Sequence, residues 1–154
     1  MKNTKQLLII EQVDKKLKEF ESLKENKIPT KGWVKTVRTA LKMSLRQLGS
    51  RMNFSAQNIR QLENREIAGT ISLNTLRDVA NAMDMQLVYG FVSKHESLEQ
   101  MIEKRAAALA TEIVMRTNNT MTLEDQQNSE SRIEKAIAQK TAEIKHEMPK
   151  YLWD

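Results

Sequence analysis

The chain lacks cysteine and has few residues that interrupt helices. Its 154 residues include four glycines, two prolines and no cysteine. The absence of cysteine excludes disulfides, thiolate nucleophiles and cysteine-ligated zinc, and it is typical of proteins in a reducing compartment. Because glycine and proline are scarce, few positions favour turns. We therefore expect a mainly α protein located in the cytoplasm.

Long apolar runs and catalytic motifs are also missing. The apolar run at residues 7–10 is followed by charged residues, so it is too short for a signal peptide core or a membrane span. The two histidines, His95 and His146, are far apart in the sequence, and no Ser/His/Asp set or glycine-rich phosphate loop is present. We expect no cofactor, no metal ion, no membrane insertion and no enzymatic activity.

Positive charge is concentrated in one part of the chain. Residues 31–70 contain eight Lys or Arg and two Glu, a net charge of +6 (8 − 2), which leaves −1 (5 − 6) for the remaining residues. A basic block of this kind attracts polyanions such as nucleic acid. A solvated basic face without a ligand has the same composition, so charge alone does not select DNA.

The segment from Ser44 to Asn64 has the pattern of two helices joined by a tight turn. Ser44 and Ser55 are suited to cap the starts of the two helices. Gly49 removes the side chain at the point where a crossing helix must approach, and Asn53 tolerates the left-handed backbone of a turn. The pattern predicts a helix-turn-helix.

The second of these helices has two distinct faces. With Gln57 placed at zero, Gln61 falls near 40°, whereas Ile59 and Leu62 fall near 200° and 140°, at about 100° per residue. The outer face therefore carries amides, which both donate and accept hydrogen bonds, as the N6/N7 edge of adenine requires. Ordinary surface glutamines are the alternative, but the capped turn, the glycine and the basic surroundings favour double-stranded DNA as the ligand.

Over about residues 33–83 the sequence resembles the Xre/Cro family of phage-repressor helix-turn-helix proteins, and residues 61–64 are similar to the end of that family's recognition helix. The resemblance implies a domain of four to five helices. It implies base contacts by Ser55, Ala56, Gln57 and Gln61, with Ala56 limited to apolar contact with a thymine methyl. Phosphate contacts are expected from Arg46, Gln47, Asn58, Arg60, Asn64 and Arg65. The resemblance also implies an ion pair between Arg38 and Glu63.

A second resemblance covers nearly the whole chain. The stretches 32–41, 69–73, 75–76, 120–126 and 152–154 are similar to the mobile mystery protein A family, whose members are encoded beside a Fic-domain protein. This implies a regulator, acting as an autorepressor, of a toxin–antitoxin-like operon. The alternative is an antitoxin that inhibits a Fic-domain AMP-transferase by direct contact.

The segment from Thr120 to Asp125 bears on that alternative. Fic-inhibiting segments follow the pattern Ser/Thr-x-x-x-Glu-Gly/Asn, and Thr120 and Glu124 match it, whereas Asp125 departs from it. Thr120 and Glu124 are therefore candidate inhibitory residues. The same stretch also fits a helix cap at Thr122.

The remaining patterns divide the chain into four parts. Residues 1–28 form an N-terminal amphipathic helix over 4–26, which ends before Pro29. The helix-turn-helix domain spans 29–84, with helices at 33–42, 44–52, 55–64 and 73–83. Within residues 85–94, the β-branched and aromatic stretch 86–92 predicts one short strand that pairs with its copy in a homodimer. Residues 95–154 form a C-terminal region with helices at 96–116 and 124–147 and an apolar tail.

Overall fold

The computed structural model describes residues 2–119 and 129–154, and these residues are mainly α-helical, as predicted. Within them no β-strand forms, and no helix is both long and apolar enough to cross a membrane. The elements in chain order are α1 (Lys2–Lys18), a 3-10 helix (Glu21–Glu25), α2 (Trp33–Ala40), α3 (Leu45–Met52), α4 (Ala56–Ala68), α5 (Leu73–Ala82), α6 (Leu98–Asn119), α7 (Ser129–Glu147) and a second 3-10 helix (Lys150–Trp153).

The chain divides into two compact units. The central unit is Ser22–Gly90 and contains α2 to α5. The terminal unit combines Met1–Glu21 with Phe91–Asp154 and contains α1, α6 and α7. The N-terminal helix and the C-terminal region, which the sequence suggested as separate segments, thus belong to the same unit.

The central unit is built around one apolar core, to which all four of its α-helices contribute. Complete burial of an aliphatic side chain stabilises a fold by about 1.5 to 3 kcal/mol. Helix α3 packs against both α4 and α5, and α2 packs against α4. The buried apolar residues are Val34, Leu48, Ile59, Leu62, Val79 and Met83.

Two helices end four or more residues away from their predicted ends. Helix α1 ends at Lys18 instead of residue 26. The N–H groups of Glu19 and Phe20 donate to carbonyls three residues earlier, so the backbone changes there from α-helical to 3-10 geometry. Helix α4 continues four residues past Asn64 to Ala68. It ends at Gly69, whose positive φ of 76° provides the left-handed conformation that commonly terminates helices.

Residues 86–92, predicted as a strand, lie outside any helix or strand. A strand needs a neighbouring strand to accept and donate its backbone hydrogen bonds. The backbone of these residues forms no backbone hydrogen bond with any described residue. The strand expected at residues 86–92 therefore does not form within the single chain, and its pairing with a second copy stays a prediction.

The terminal unit has its own core, formed chiefly by α6 and α7. The backbone N–H of Leu98, the first residue of α6, donates to the Asp14 carboxylate at 2.8 Å. A carboxylate at this place satisfies a helix N–H that has no partner within the helix, and it interacts favourably with the helix dipole. The buried residues of this core are Ile102, Ala106, Ala110, Ile144 and Leu152.

The C-terminal tail is fixed to this unit through Leu152, which is fully buried. The Arg105 guanidinium holds the backbone beside it: Nε donates to the carbonyl of Leu152 at 2.6 Å, and Nη2 donates to the backbone oxygen of Asp154 at 2.5 Å. Tyr151 and Trp153 remain exposed. The tail therefore docks through one apolar side chain and two backbone oxygens.

Candidate nucleic-acid interface

The turn between α3 and α4 has the geometry that the sequence predicts. At the start of α3 the Ser44 hydroxyl accepts from the Gln47 N–H at 3.1 Å, and the Gln47 side chain accepts from the Ser44 N–H at 2.8 Å. At its end Asn53 is left-handed, with φ 56° and ψ 38°. The hydroxyl of Ser55 then caps α4 by accepting from the Asn58 N–H at 3.1 Å. The predicted Ser44 cap, left-handed turn and Ser55 cap are confirmed.

Gly49 lets the turn fold closely over α3. Its carbonyl accepts the Phe54 N–H at 2.8 Å, and a Cβ at this position would collide with the carbonyl oxygen of Phe54. That oxygen belongs to the rigid backbone of the turn, so it cannot swing aside as the end of a long side chain would. The absence of a side chain at Gly49 therefore sets the distance between the two helices.

Helix α4 turns Ile59 and Leu62 inward and its amides outward. Ile59 is fully buried and Leu62 is 5% exposed, and both belong to the central core. All four residues predicted to contact bases are exposed on the surface of the central unit. They are Ser55, Ala56, Gln57 and Gln61.

The residues predicted to contact phosphates are also exposed, and two of them take part in caps. The side-chain oxygen of Gln47 accepts from the Ser44 N–H, so its amide NH₂ remains available to donate to a phosphate. Ser55 accepts from Asn58 and keeps its own hydroxyl proton for donation. The exposed set is Arg46, Gln47, Asn58, Arg60, Asn64 and Arg65. Thr120 and Glu124, the candidate inhibitory residues, lie outside the described residues.

Arg38 and Glu63, expected to pair, form a buried contact between α2 and α4. Arg38 Nε donates to Glu63 Oε1 at 2.5 Å, and Nη2 donates to Oε2 at 3.3 Å. Arg38 Nη1 also donates to the carbonyl of Met43 at 2.9 Å. Both side chains are buried, at 8% and 4% exposed. The pair fixes α4 to the helix behind it and keeps a carboxylate away from the outer face.

A second carboxylate of α4, missed by the sequence reasoning, also holds α2. Glu66 accepts the N–H of Trp33 at 2.7 Å and that of Val34 at 2.9 Å, the first two residues of α2. A Cβ at Gly32, which has φ 80°, would lie 2.8 Å from a Glu66 oxygen. Gly32 precedes α2 and has no side chain that could accept from the first N–H groups of this helix. This was the one feature of the sequence indicating that another residue supplies the acceptor.

These two inward carboxylates determine the charge of the exposed face. Glu63 and Glu66 are the only acidic residues between positions 31 and 70, and both are bound to groups of α2. The outer face of α4 therefore presents amides and arginines and no carboxylate of its own. Such a face attracts phosphates and can hydrogen-bond to base edges.

No protein-family model, curated protein or solved structure matches this chain. The two family resemblances accordingly stay predictions from the sequence.

Proposed function

We propose that the protein binds double-stranded DNA in a sequence-specific manner through α4 and regulates transcription. The observation that carries the proposal is the division of α4 into two faces. Ile59, Leu62 and Glu63 are buried, while Gln57 and Gln61 are exposed one helical turn apart. A helix with this division fits the major groove of B-DNA, which is wide enough to admit it.

Gln57 and Gln61 supply sequence discrimination in this proposal. A glutamine amide donates to N7 and accepts from N6 of adenine, and one well-formed bidentate pair discriminates between bases by about 1 to 3 kcal/mol. Ala56, at the start of α4, offers only its methyl group, which suits the thymine C5-methyl. Sites rich in A·T pairs are therefore the expected targets.

The arginines around α4 supply affinity that is independent of sequence. Arg46, Arg60 and Arg65 are exposed, so their guanidinium groups are free to pair with phosphates. The N–H groups at the start of α4, beside the Ser55 cap, lie at the positive end of the helix dipole, which favours a phosphate there. Binding should therefore weaken steeply with salt.

Selection from a random double-stranded DNA library, followed by binding measurements on the enriched site and on a scrambled duplex, tests the proposal. The variant Gln57→Ala/Gln61→Ala should lose about 10- to 1000-fold in affinity for the enriched site and little for the scrambled one. Gln139→Ala, which alters an exposed glutamine on α7, serves as a matched control. Failure to enrich any sequence, or equal losses on both duplexes, would contradict the proposal.

A further inference from the structure

The central unit contains an apolar cavity of about 430 Å³ that opens to solvent. Three of its lining residues, Val34, Val79 and Met83, belong to the buried core. Two others, Trp33 and Val88, are 46% and 66% exposed. Small-molecule sites usually measure about 300 to 1,000 Å³ and have a mostly apolar lining with a few polar groups. The cavity therefore has the size and the lining of such a site.

The chain that follows α5 forms one wall of the cavity, which residues 85–88 line. Asp84, with φ 58°, adopts the left-handed conformation that turns the chain at the end of a helix. The N–H of Met85 then donates to the carbonyl of Ala80 at 2.8 Å. Hydrogen bonds within the central unit therefore set where this wall begins.

One charged side chain lines the cavity, and it is a carboxylate. Of all the lining residues, only Glu66 carries a charge. Its Oε1 accepts the N–H of Trp33 at 2.7 Å, and its Oε2 accepts the N–H of Val34 at 2.9 Å. An ionised carboxylate can accept about four hydrogen bonds, so each oxygen can accept one more. An apolar cavity with this one acceptor favours a ligand that carries a cationic donor, and it disfavours an anion.

Trp33 adds a second group that favours a cation. It lines the same cavity, and its backbone N–H is bonded to the Glu66 carboxylate. The face of an indole ring attracts cations more strongly than the ring of Tyr or Phe does, and organic ammonium groups are recognised in this way. The carboxylate and the ring are therefore complementary to the same kind of ligand group.

We propose that this cavity binds a small organic ammonium ion with an apolar body. The ammonium group donates to Glu66 beside the Trp33 indole. The apolar body lies against Val79 and Met83 and covers Val88, so that apolar surface of both molecules leaves water.

The proposed site lies on the side of α4 opposite to the proposed DNA-binding face. At about 100° per residue, Glu66 falls near 180° when Gln57 is placed at zero. Gln57 and Gln61 are exposed and do not line the cavity. The site is thus separate from the residues proposed to contact bases, and it does not depend on their role.

The first experiment compares three probes that share one apolar body: 3-phenylpropylammonium, 3-phenylpropanol and 3-phenylpropanoate. Each is titrated into the full chain without DNA, so the result is independent of the proposed DNA binding. The indole N–H signal of Trp33 in the NMR spectrum reports on the cavity, and that of Trp153, in the terminal unit, is the internal control.

The ammonium probe should shift the Trp33 signal with a Kd of about 1 mM or below and leave the Trp153 signal in place. The alcohol should bind about tenfold more weakly, because it lacks the charge, and the carboxylate probe should not bind measurably. No saturable shift of the Trp33 signal with the ammonium probe would overturn the proposal. So would an affinity for the alcohol or the carboxylate probe that equals that for the ammonium.

The second experiment uses substitutions to locate the site. Ala80→Leu fills space in the cavity, which Ala80 lines, and should abolish binding of the ammonium probe. Ala68→Leu, at an exposed position of α4 outside the cavity, is the matched control and should bind normally. Glu66→Gln should weaken the ammonium probe about tenfold and leave the alcohol unchanged. Unaltered binding by Ala80→Leu, or equal losses of both probes in Glu66→Gln, would contradict the assignment. The three-probe comparison on the unaltered chain holds whether or not these variants fold.

Discussion

Removing Arg38 should be among the most damaging single substitutions in the central unit. In Arg38→Met, the Glu63 carboxylate stays buried but loses both guanidinium donors, at 2.5 and 3.3 Å, and the Met43 carbonyl loses its donor at 2.9 Å. Breaking a buried pair from one side costs about 3 to 5 kcal/mol. The 69 residues of the central unit (90 − 22 + 1) support a total stability of only about 3 to 10 kcal/mol. A large fraction of molecules should therefore have an unfolded central unit.

The assay is urea unfolding monitored by tryptophan fluorescence. Trp33 belongs to the central unit and Trp153 to the terminal unit, so Trp153→Phe makes the signal specific to the central one. A double-mutant cycle with Glu63→Leu isolates the interaction. Each single variant should lose about 3 to 5 kcal/mol, whereas the double variant should lose far less, because an apolar pair of similar volume replaces a buried ion pair at little cost.

Additive losses would refute this reasoning. If the double variant loses the sum of the two single losses to within about 0.5 kcal/mol, the two side chains are not coupled. Single losses below about 1 kcal/mol would show that solvent reaches the carboxylate and compensates for the missing partner.

Three further substitutions test other parts of the central unit. Gly49→Ala should destabilise it by about 1 to 3 kcal/mol because of the collision with the Phe54 carbonyl, whereas Ser50→Ala on the exposed side of α3 should not; equal urea midpoints would contradict the role given to the glycine. Glu66→Ala should cost about 1 to 2 kcal/mol by leaving the first N–H groups of α2 without their acceptor, and an unchanged free energy of unfolding would count against that cap. Arg60→Ala should reduce the slope of log affinity against log salt by about 0.9 per monomer without changing the preferred DNA sequence; an altered preference would mean that this arginine contacts bases.

Features that depend on neighbouring residues were predictable from the sequence. The Ser44 and Ser55 caps were found because each bonds to a backbone group three residues away. The left-handed turn at Asn53 was found because few residues other than glycine tolerate that backbone. The end of α4 was placed too early because the polar residues after Asn64 give no apolar periodicity, although Gly69 marks a stop.

Features that depend on distant partners were mostly not predictable. Glu66 caps a helix 33 residues before it, and Asp14 caps one 84 residues after it. No local pattern distinguishes these carboxylates from solvated ones. The partner of Glu63 was expected only because an inward carboxylate needs a cation and a family resemblance supplied Arg38. The strand at 86–92 was predicted from residue type alone, which does not say whether a neighbouring strand exists.

The buried and the exposed faces of α4 use different residues, so substitutions are tolerated on the exposed face and not on the buried one. The residues that hold α4 against the rest of the central unit, among them Ile59 and Glu63, are different from the exposed residues Gln57 and Gln61. Substitutions on the solvent side can therefore accumulate with little loss of stability, since exposed positions usually alter it by less than about 0.5 kcal/mol. A lineage carrying this scaffold would be able to acquire new binding preferences through a few mutations, while the buried side remained under strong selection.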